Sequence, residues 1–198
     1  MIRRLAFFTF ACALTTASQA QTPATPQPGL GGPVIAGVCL LSREAVFGNA
    51  KVSVAANARL QQISQEAQAE VDALRKPIDD DLAAFGRDAA RLSADQRKQR
   101  EEALNGRLLP VRALADQRSR EVELTRTRMI ERISDAAQPA IAQVYASKRC
   151  GLLFDRNSAL GGNFANDLTA DVVKELDARI QTISFNRETI PVPAPAAR

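Results

Sequence analysis

The chain has 198 residues and is weakly basic, with 26 Lys and Arg side chains against 22 Asp and Glu. Only 5% of the residues are aromatic and none is Trp, which is too little for a large, layered core. The chain also contains no His, the commonest general base and metal ligand. We therefore predict no catalytic, cofactor-binding or metal-binding residues, and no enzymatic activity.

The first 20 residues have the pattern of a secretory signal peptide. Arg3 and Arg4 precede an apolar run over residues 5–14, and the small residues Ser18 and Ala20 predict cleavage after Ala20. The apolar run is too short to cross a bilayer as a helix. Cleavage removes two of the 26 basic residues, which leaves 24 against 22 acidic residues and a net charge of +2. The mature chain is thus predicted to be exported to a periplasm-like or extracellular compartment and to be soluble there, with a charge far from that of a nucleic-acid-binding protein.

The next residues predict a small β body that begins before a long helical insertion and is completed after it. Residues 21–33 are rich in Pro, Thr and Gln and carry no charge, as is typical of a flexible leader. The continuous apolar run over residues 34–41 predicts a buried strand. We assign residues 34–48 and 149–182 to this body, which also includes short helices.

Turn and cap residues place the smaller elements of the body. Ser42 is predicted to cap a short helix that runs through Phe47. A second strand is predicted to start at Cys150, with a hairpin partner starting at Ala159 and Leu160, and Thr169 is predicted to cap a closing amphipathic helix. The tail over residues 183–198 is predicted to be extended or disordered.

Residues 49–148 predict a long antiparallel helical hairpin, the arm, so that the fold class is α+β. Ser93 and Gln96 form a capping box that marks the tip of the arm. Two helices of this length reach about 70 Å, so we expect self-association or a bound partner to supply contacts that a monomer lacks. The apolar positions of the outgoing helix step by three or four residues: Leu60, Ile63, Ala67, Val71, Leu74, Ile78, Leu82, Phe85, Ala89 and Leu92.

The arm carries prolines and a basic tip. Pro77 and Pro110 lie about equally far from Ser93 and Pro139 lies close to the body, so we predict bends or shared flex points at these residues. Basic side chains surround the tip, where they could contact an anionic membrane surface. These residues are Arg87, Arg91, Arg97, Lys98, Arg100 and Arg107.

The ends of the arm predict how the two strands meet. The first strand leads into the outgoing helix and the second begins where the arm returns, so we expect them to be antiparallel neighbours. Cys39 and Cys150 would then lie close together, and in an oxidising compartment we predict a disulfide between them across the neck of the hairpin. Two buried free thiols are the alternative.

The arrangement resembles the Skp/OmpH family of periplasmic chaperones for outer-membrane proteins. The resemblance is carried by the signal peptide, the opening strand with residues 42–47 and the Ala-, Gln- and Arg-rich hairpin, and most specifically by residues 152–160 and 167–173. The cysteine pair, the Pro-rich leader and the C-terminal extension depart from the commoner family pattern.

The resemblance implies a homotrimer whose strands join in a central β body and whose arms enclose a cavity for unfolded outer-membrane proteins, without ATP. The residues expected where the subunits meet are Val38, Leu40, Leu152, Leu153 and Phe154. Two alternatives stay open: a structural coiled coil of the cell envelope, and a module that binds lipid or lipopolysaccharide through the basic tip.

Overall fold

The computed structural model describes residues 30–191 and has an α+β fold in which a long helical hairpin projects from a small β body. The predicted fold class and hairpin are therefore confirmed. The body contains strands β1 (Val38–Leu41) and β2 (Leu152–Asp155) and helices α1 (Arg43–Asn49) and α4 (Thr169–Arg179). The arm consists of α2 (Lys51–Asp88) and α3 (Ala94–Ser147). The predicted signal peptide and most of the predicted leader fall in residues 1–29, outside the described range.

The tip of the arm is built by the predicted capping box. A short 3-10 turn over Ala89–Arg91 follows α2, and Ser93 then caps α3. The amide of Gln96 donates to Ser93 Oγ at 3.2 Å, and the amide of Ser93 donates to Gln96 Oε1 at 3.0 Å. With 38 and 54 residues, α2 and α3 are about 57 and 81 Å long at 1.5 Å per residue.

Packing along the arm is uneven. We define the proximal arm as residues 51–70 of α2 with residues 118–147 of α3, and the distal arm as the remainder up to the tip. Large proximal seam residues such as Ile63 and Ile133 are fully buried. In the distal arm only four residues form a buried cluster, namely Val71, Ile78, Leu104 and Val111, with Phe85 among those packed against it. Leu74 and Leu82, both expected in the seam, are 53% and 38% exposed, so the distal seam is thin.

The three prolines lie inside the helices of the arm. Pro77 is within α2, and Pro110 and Pro139 are within α3. All three are exposed, and none of them ends its helix. A proline inside a helix still removes one backbone hydrogen bond, so the prediction of flex points at these residues stays a prediction.

The two strands pair in parallel, so the antiparallel arrangement expected from the sequence is wrong. Val38 lies opposite Leu152, and Leu40 lies opposite Phe154. Both strands are shorter than expected, since β1 begins at Val38 rather than at residue 34 and β2 begins at Leu152 rather than at Cys150. A 3-10 turn over Arg156–Ser158 follows β2, and the hairpin partner expected from Ala159 and Leu160 is absent because these residues form no strand.

A tight turn at the end of α3 leads the chain into β2. The amide of Cys150 donates to Tyr145 O and that of Arg149 to Ala146 O, which is a Schellman motif. Arg149 has a left-handed backbone conformation with φ of 54°, where a glycine is usual. This turn ends α3 and changes the direction of the chain just before β2 begins.

A disulfide joins Cys39 and Cys150, whose Cα atoms are 5.8 Å apart. It links residues 111 positions apart in the sequence and ties β1 to the end of the arm. Cys39 is buried within the main hydrophobic core, where the body meets the proximal arm.

Helices α1 and α4 close the body around this core. Ser42 caps α1 as predicted, because its side chain accepts the amide of Ala45 at 3.1 Å. Thr169 is instead the first residue of α4, and its hydroxyl oxygen accepts the amide of Ser42 at 2.9 Å. Asp167 Oδ1 takes the capping role by accepting the amide of Thr169, so the predicted cap at Thr169 is wrong.

Candidate functional site

Three surfaces could contact another molecule, and the first is the sheet of the body. Val38 and Leu40 are paired with Leu152 and Phe154, so these four predicted contact residues share one face. Leu152 and Phe154 are 56% and 51% exposed, which is unusual for large apolar side chains on a strand. Leu153 points the other way and packs against the main core.

The outer edge of β2 completes this surface. The other edge of β1 is covered, because Leu40 exchanges backbone hydrogen bonds with Asn166 and Leu168. Within residues 30–191, β2 pairs only with β1, which leaves its second edge open. An open edge with exposed apolar side chains favours pairing with another chain.

The second surface is the distal arm with its tip. An open groove of about 370 Å³ lies between the helices where the distal arm begins, lined by residues that include Ala67, Val71, Ala115 and Val122. All six predicted basic tip residues are exposed. Arg107 forms an ion pair with Asp81, whereas the other five form no ion pair within residues 30–191.

The third surface involves the part of the C-terminal tail that the structure describes, residues 180–191, and the name tail is used for these residues from here on. Residues 180–190 include no helix or strand, but they lie along the proximal arm. Ile183 and Phe185 pack against the main core. Arg187 reaches Glu70 of α2 through two hydrogen bonds, at 2.9 and 3.3 Å.

Arg187 completes a cluster of two acids and two bases at the boundary between the proximal and distal arm. Arg118 donates to Glu70 Oε2 at 2.6 Å and to Glu121 Oε2 at 2.8 Å. Arg187 Nε lies 3.3 Å from Glu121 Oε2, close enough for an ion pair but without hydrogen-bond geometry. Glu121 is 1% exposed, so its charge depends on these partners.

The contacts of the cluster lower the pKa of both carboxyl groups. Burial alone would raise the pKa of Glu121, but hydrogen bonds from Gln117, Arg118 and the amide of Ile190 outweigh burial and lower it. Hydrogen bonds from Arg187 and then Arg118 hold the pKa of Glu70 below its ordinary value. The cluster is therefore ionised and structural, and it links α2, α3 and the tail.

Glu121 and Arg187 were missed in the sequence analysis. The sequence carries one signal for this cluster, because Arg118 is a charged residue at an apolar position of the return helix. Such a residue needs a buried partner, and Glu121, three positions later, lies within its reach on a helix. Arg187 gave no comparable signal because its partners are 66 or more positions away.

Two kinds of feature are absent from the part of the chain that the structure describes. Within residues 30–191, no grouping of three acidic or cysteine side chains could hold a metal ion. No helix in this range is long and apolar enough to cross a membrane.

Comparisons with known proteins agree on one family. A family model described as outer membrane protein (OmpH-like) matches residues 37–176. Among solved structures, the chain is similar to a putative outer membrane chaperone (OmpH-like) from Caulobacter crescentus CB15, with 30% identity and a TM-score of 0.72. The match covers 85% of this chain and 98% of that one. No match was found among curated proteins.

Proposed function

The chain belongs to the OmpH-like family, and from this premise we propose that it is an ATP-independent holdase chaperone of the periplasm. It binds unfolded outer-membrane β-barrel proteins between helical arms and keeps them from aggregating on the way to the outer membrane. Family membership supports a chaperone role in general, and the predicted export supports the location.

The body assembles three chains. The open edge of β2 and the exposed side chains of Leu152 and Phe154 are the surfaces that support this assembly. Pairing of a strand edge with another copy would satisfy its free backbone groups and bury both side chains. A homotrimer places three arms around a shared cavity.

The arms hold the client through weak contacts, and the thin distal seam is the observation that carries this proposal. Four buried residues hold the distal arm together, while Leu74 and Leu82 of α2 remain exposed. Such a surface offers many small apolar contacts without a deep pocket. Each of these contacts is weak, and association also costs entropy, so no single conformation of the bound chain is strongly favoured. Many such contacts together can still retain an unfolded chain.

Light scattering on the signal-less protein tests the proposal, with and without a urea-unfolded outer-membrane barrel protein. We expect a trimer that gains one client and suppresses its aggregation. A trimer that ignores the client would support a structural coiled coil, and a stable monomer would contradict the assembly.

A matched pair of variants tests the assembly surface. Phe154→Asp should prevent trimer formation because it places a charge where subunits would bury an aromatic side chain. Ser158→Asp introduces the same charge at an exposed position nearby and should remain a trimer. A monodisperse trimer from Phe154→Asp would contradict the proposed interface.

Exposed basic side chains at the tip favour a second, transient contact with anionic membrane surfaces. Arg87, Arg91 and Lys98 have no acidic partner within residues 30–191. Sedimentation with vesicles of anionic lipid should show binding that weakens as salt rises, because screening shortens the range of the attraction. Binding that does not change with salt would contradict this contact.

A further inference from the structure

The tail lies in a groove between α2 and α3 and runs outward toward the tip. Its residues meet α3 in reverse order: Ser184 contacts Arg132, Glu188 contacts Thr125, and Ile190 contacts Glu121. From Arg132 to Glu121 the helix rises about 17 Å, and six extended residues span at most about 20–22 Å. The tail is therefore close to fully extended.

Four of the contacts to the tail are made to its main chain. Arg59 donates to Phe185 O at 3.4 Å and Arg132 to Ser184 O at 3.1 Å. The amide of Glu188 donates to Thr125 Oγ1 at 2.9 Å, and the amide of Ile190 donates to Glu121 Oε1 at 3.5 Å. Any extended peptide offers the same carbonyl and amide groups, so these contacts do not depend on the sequence of the tail.

The side chains of the tail alternate between the groove and solvent. Ile183, Phe185 and Arg187 are partly buried, whereas Ser184, Asn186 and Glu188 are exposed. The inward residues are thus apolar, aromatic and basic in turn. The basic residue meets Glu70 and Glu121, which gives the outer end of the groove an acidic character.

We propose that this groove is a binding site for extended segments of unfolded protein, and that the tail occupies it as a competitor within the same chain. The preferred segment has apolar or aromatic residues at alternate positions, followed by a basic residue. The proposal deepens the proposed holdase function, on which its choice of partner rests.

The strands of outer-membrane barrels fit this description. Their residues alternate between apolar, lipid-facing and polar, lumen-facing positions. In an unfolded barrel protein such a strand can present apolar side chains to one side while its main-chain groups remain free. It would therefore meet the same side-chain and main-chain groups of the groove as the tail does.

Competition with the tail determines how tightly another segment must bind before it occupies the groove. A segment tethered in the same chain has a high effective concentration, so a single weakly matching segment does not displace it. A long unfolded client presents many strands, and each displacement frees the groove for one of them. The tail thereby selects for unfolded barrel chains over short peptides.

The first test measures amide exchange in the full, signal-less chain with and without the unfolded barrel protein. The amides of Glu188 and Ile190 should exchange faster when client is bound, because they lose their acceptors Thr125 and Glu121. Unchanged exchange with the client held soluble would overturn the inference and leave the holdase function standing.

The second test does not depend on the holdase function and uses a labelled peptide of residues 181–191. The peptide should bind the full-chain variant F185S/R187A about tenfold more tightly than the wild-type chain, because the wild-type tail leaves only a small fraction of grooves free. The control variant N186A/E188A changes exposed neighbours and should bind like wild type. The groove would be contradicted as a binding site if the peptide bound F185S/R187A and N186A/E188A equally weakly while the spectra of both variants showed intact helices.

The two tests separate the possible failures. If the barrel protein aggregates regardless of the chain but the peptide binds the released variant, the holdase function fails and the groove remains. If the client is kept soluble but the peptide does not bind F185S/R187A, only the proposed binding site in the groove is contradicted, and the holdase function remains.

Discussion

The proximal and distal halves of the arm differ in how many elements support them. The proximal arm packs against the body and the tail, and its seam includes fully buried side chains such as Ile63 and Ile133. The distal arm has only its own two helices, with four buried residues between them. The cluster of Glu70, Arg118, Glu121 and Arg187 lies at the boundary. One hairpin thus combines a well-packed base with a thinly packed end, which suits the proposed role of an arm that projects from the body and adapts to a client.

The largest effect is expected at the base. Removal of the disulfide in Cys39→Ser/Cys150→Ser should lower the free energy of unfolding by about 4–5 kcal/mol, since the loop it closes is long. Urea unfolding at fixed protein concentration measures the loss. Amide exchange should increase in the body and proximal arm and stay the same near the tip. A loss below about 1 kcal/mol would show that the core holds the neck without the crosslink.

Glu121→Ala should destabilise the boundary by about 3 kcal/mol, because Arg118, whose side chain is only 21% exposed, then loses one of its two acidic partners. Thermal unfolding measures the change. Glu123→Ala is the matched control, since Glu123 is exposed two positions away and should shift stability by less than about 0.5 kcal/mol. Similar losses of stability in both variants would contradict a stabilising role of the cluster.

Pro77→Ala should stiffen the distal arm. Restoring the missing helical hydrogen bond is expected to stabilise α2 locally by up to about 2 kcal/mol. Amide exchange should slow around residue 77 and leave the proximal arm unchanged. If flexibility of the distal arm serves client binding, the same variant should suppress client aggregation less well. Unchanged exchange would contradict a flex point at this proline.

Acidification should have the smallest effect, and it acts on the tail. Because contacts in the fold lower the pKa of Glu70 and Glu121, their contribution to stability is complete above the ordinary Glu value of about 4.3. It is lost as the pH falls through the lowered values. The protection of the Glu188 and Ile190 amides, taken relative to their intrinsic exchange rate at each pH, should therefore fall below about pH 4, and the substitution Glu121→Gln should weaken this dependence. A tail released already at neutral pH would contradict the assignment.

Much of the arm could be predicted because its signals are local. The capping box needs only Ser93 and Gln96, and the seam follows from apolar residues spaced three or four apart. Cys39 and Cys150 form a disulfide in the structure even though the strand direction assumed for them was wrong. Their closeness depends on where the chain leaves and rejoins the body, and both strand directions satisfy it.

What could not be predicted depends on distant contacts or on an atypical residue. The turn that ends α3 has Arg149 in a position where a glycine would have signalled it in the sequence. The docked tail consists of alternating polar and apolar residues that indicate an extended chain but not its partner. Its contacts join residues 52 to 126 positions apart, and no local pattern encodes them.

Residue-resolved hydrogen exchange along the arm of the wild-type protein, without client, tests most directly whether the proximal and distal arm differ in stability. We predict slow exchange in α2 up to about Glu70 and in α3 from about Arg118, with clearly faster exchange between these residues and the tip. Uniformly slow exchange to Ser93 would contradict the division into a braced proximal arm and a soft distal arm.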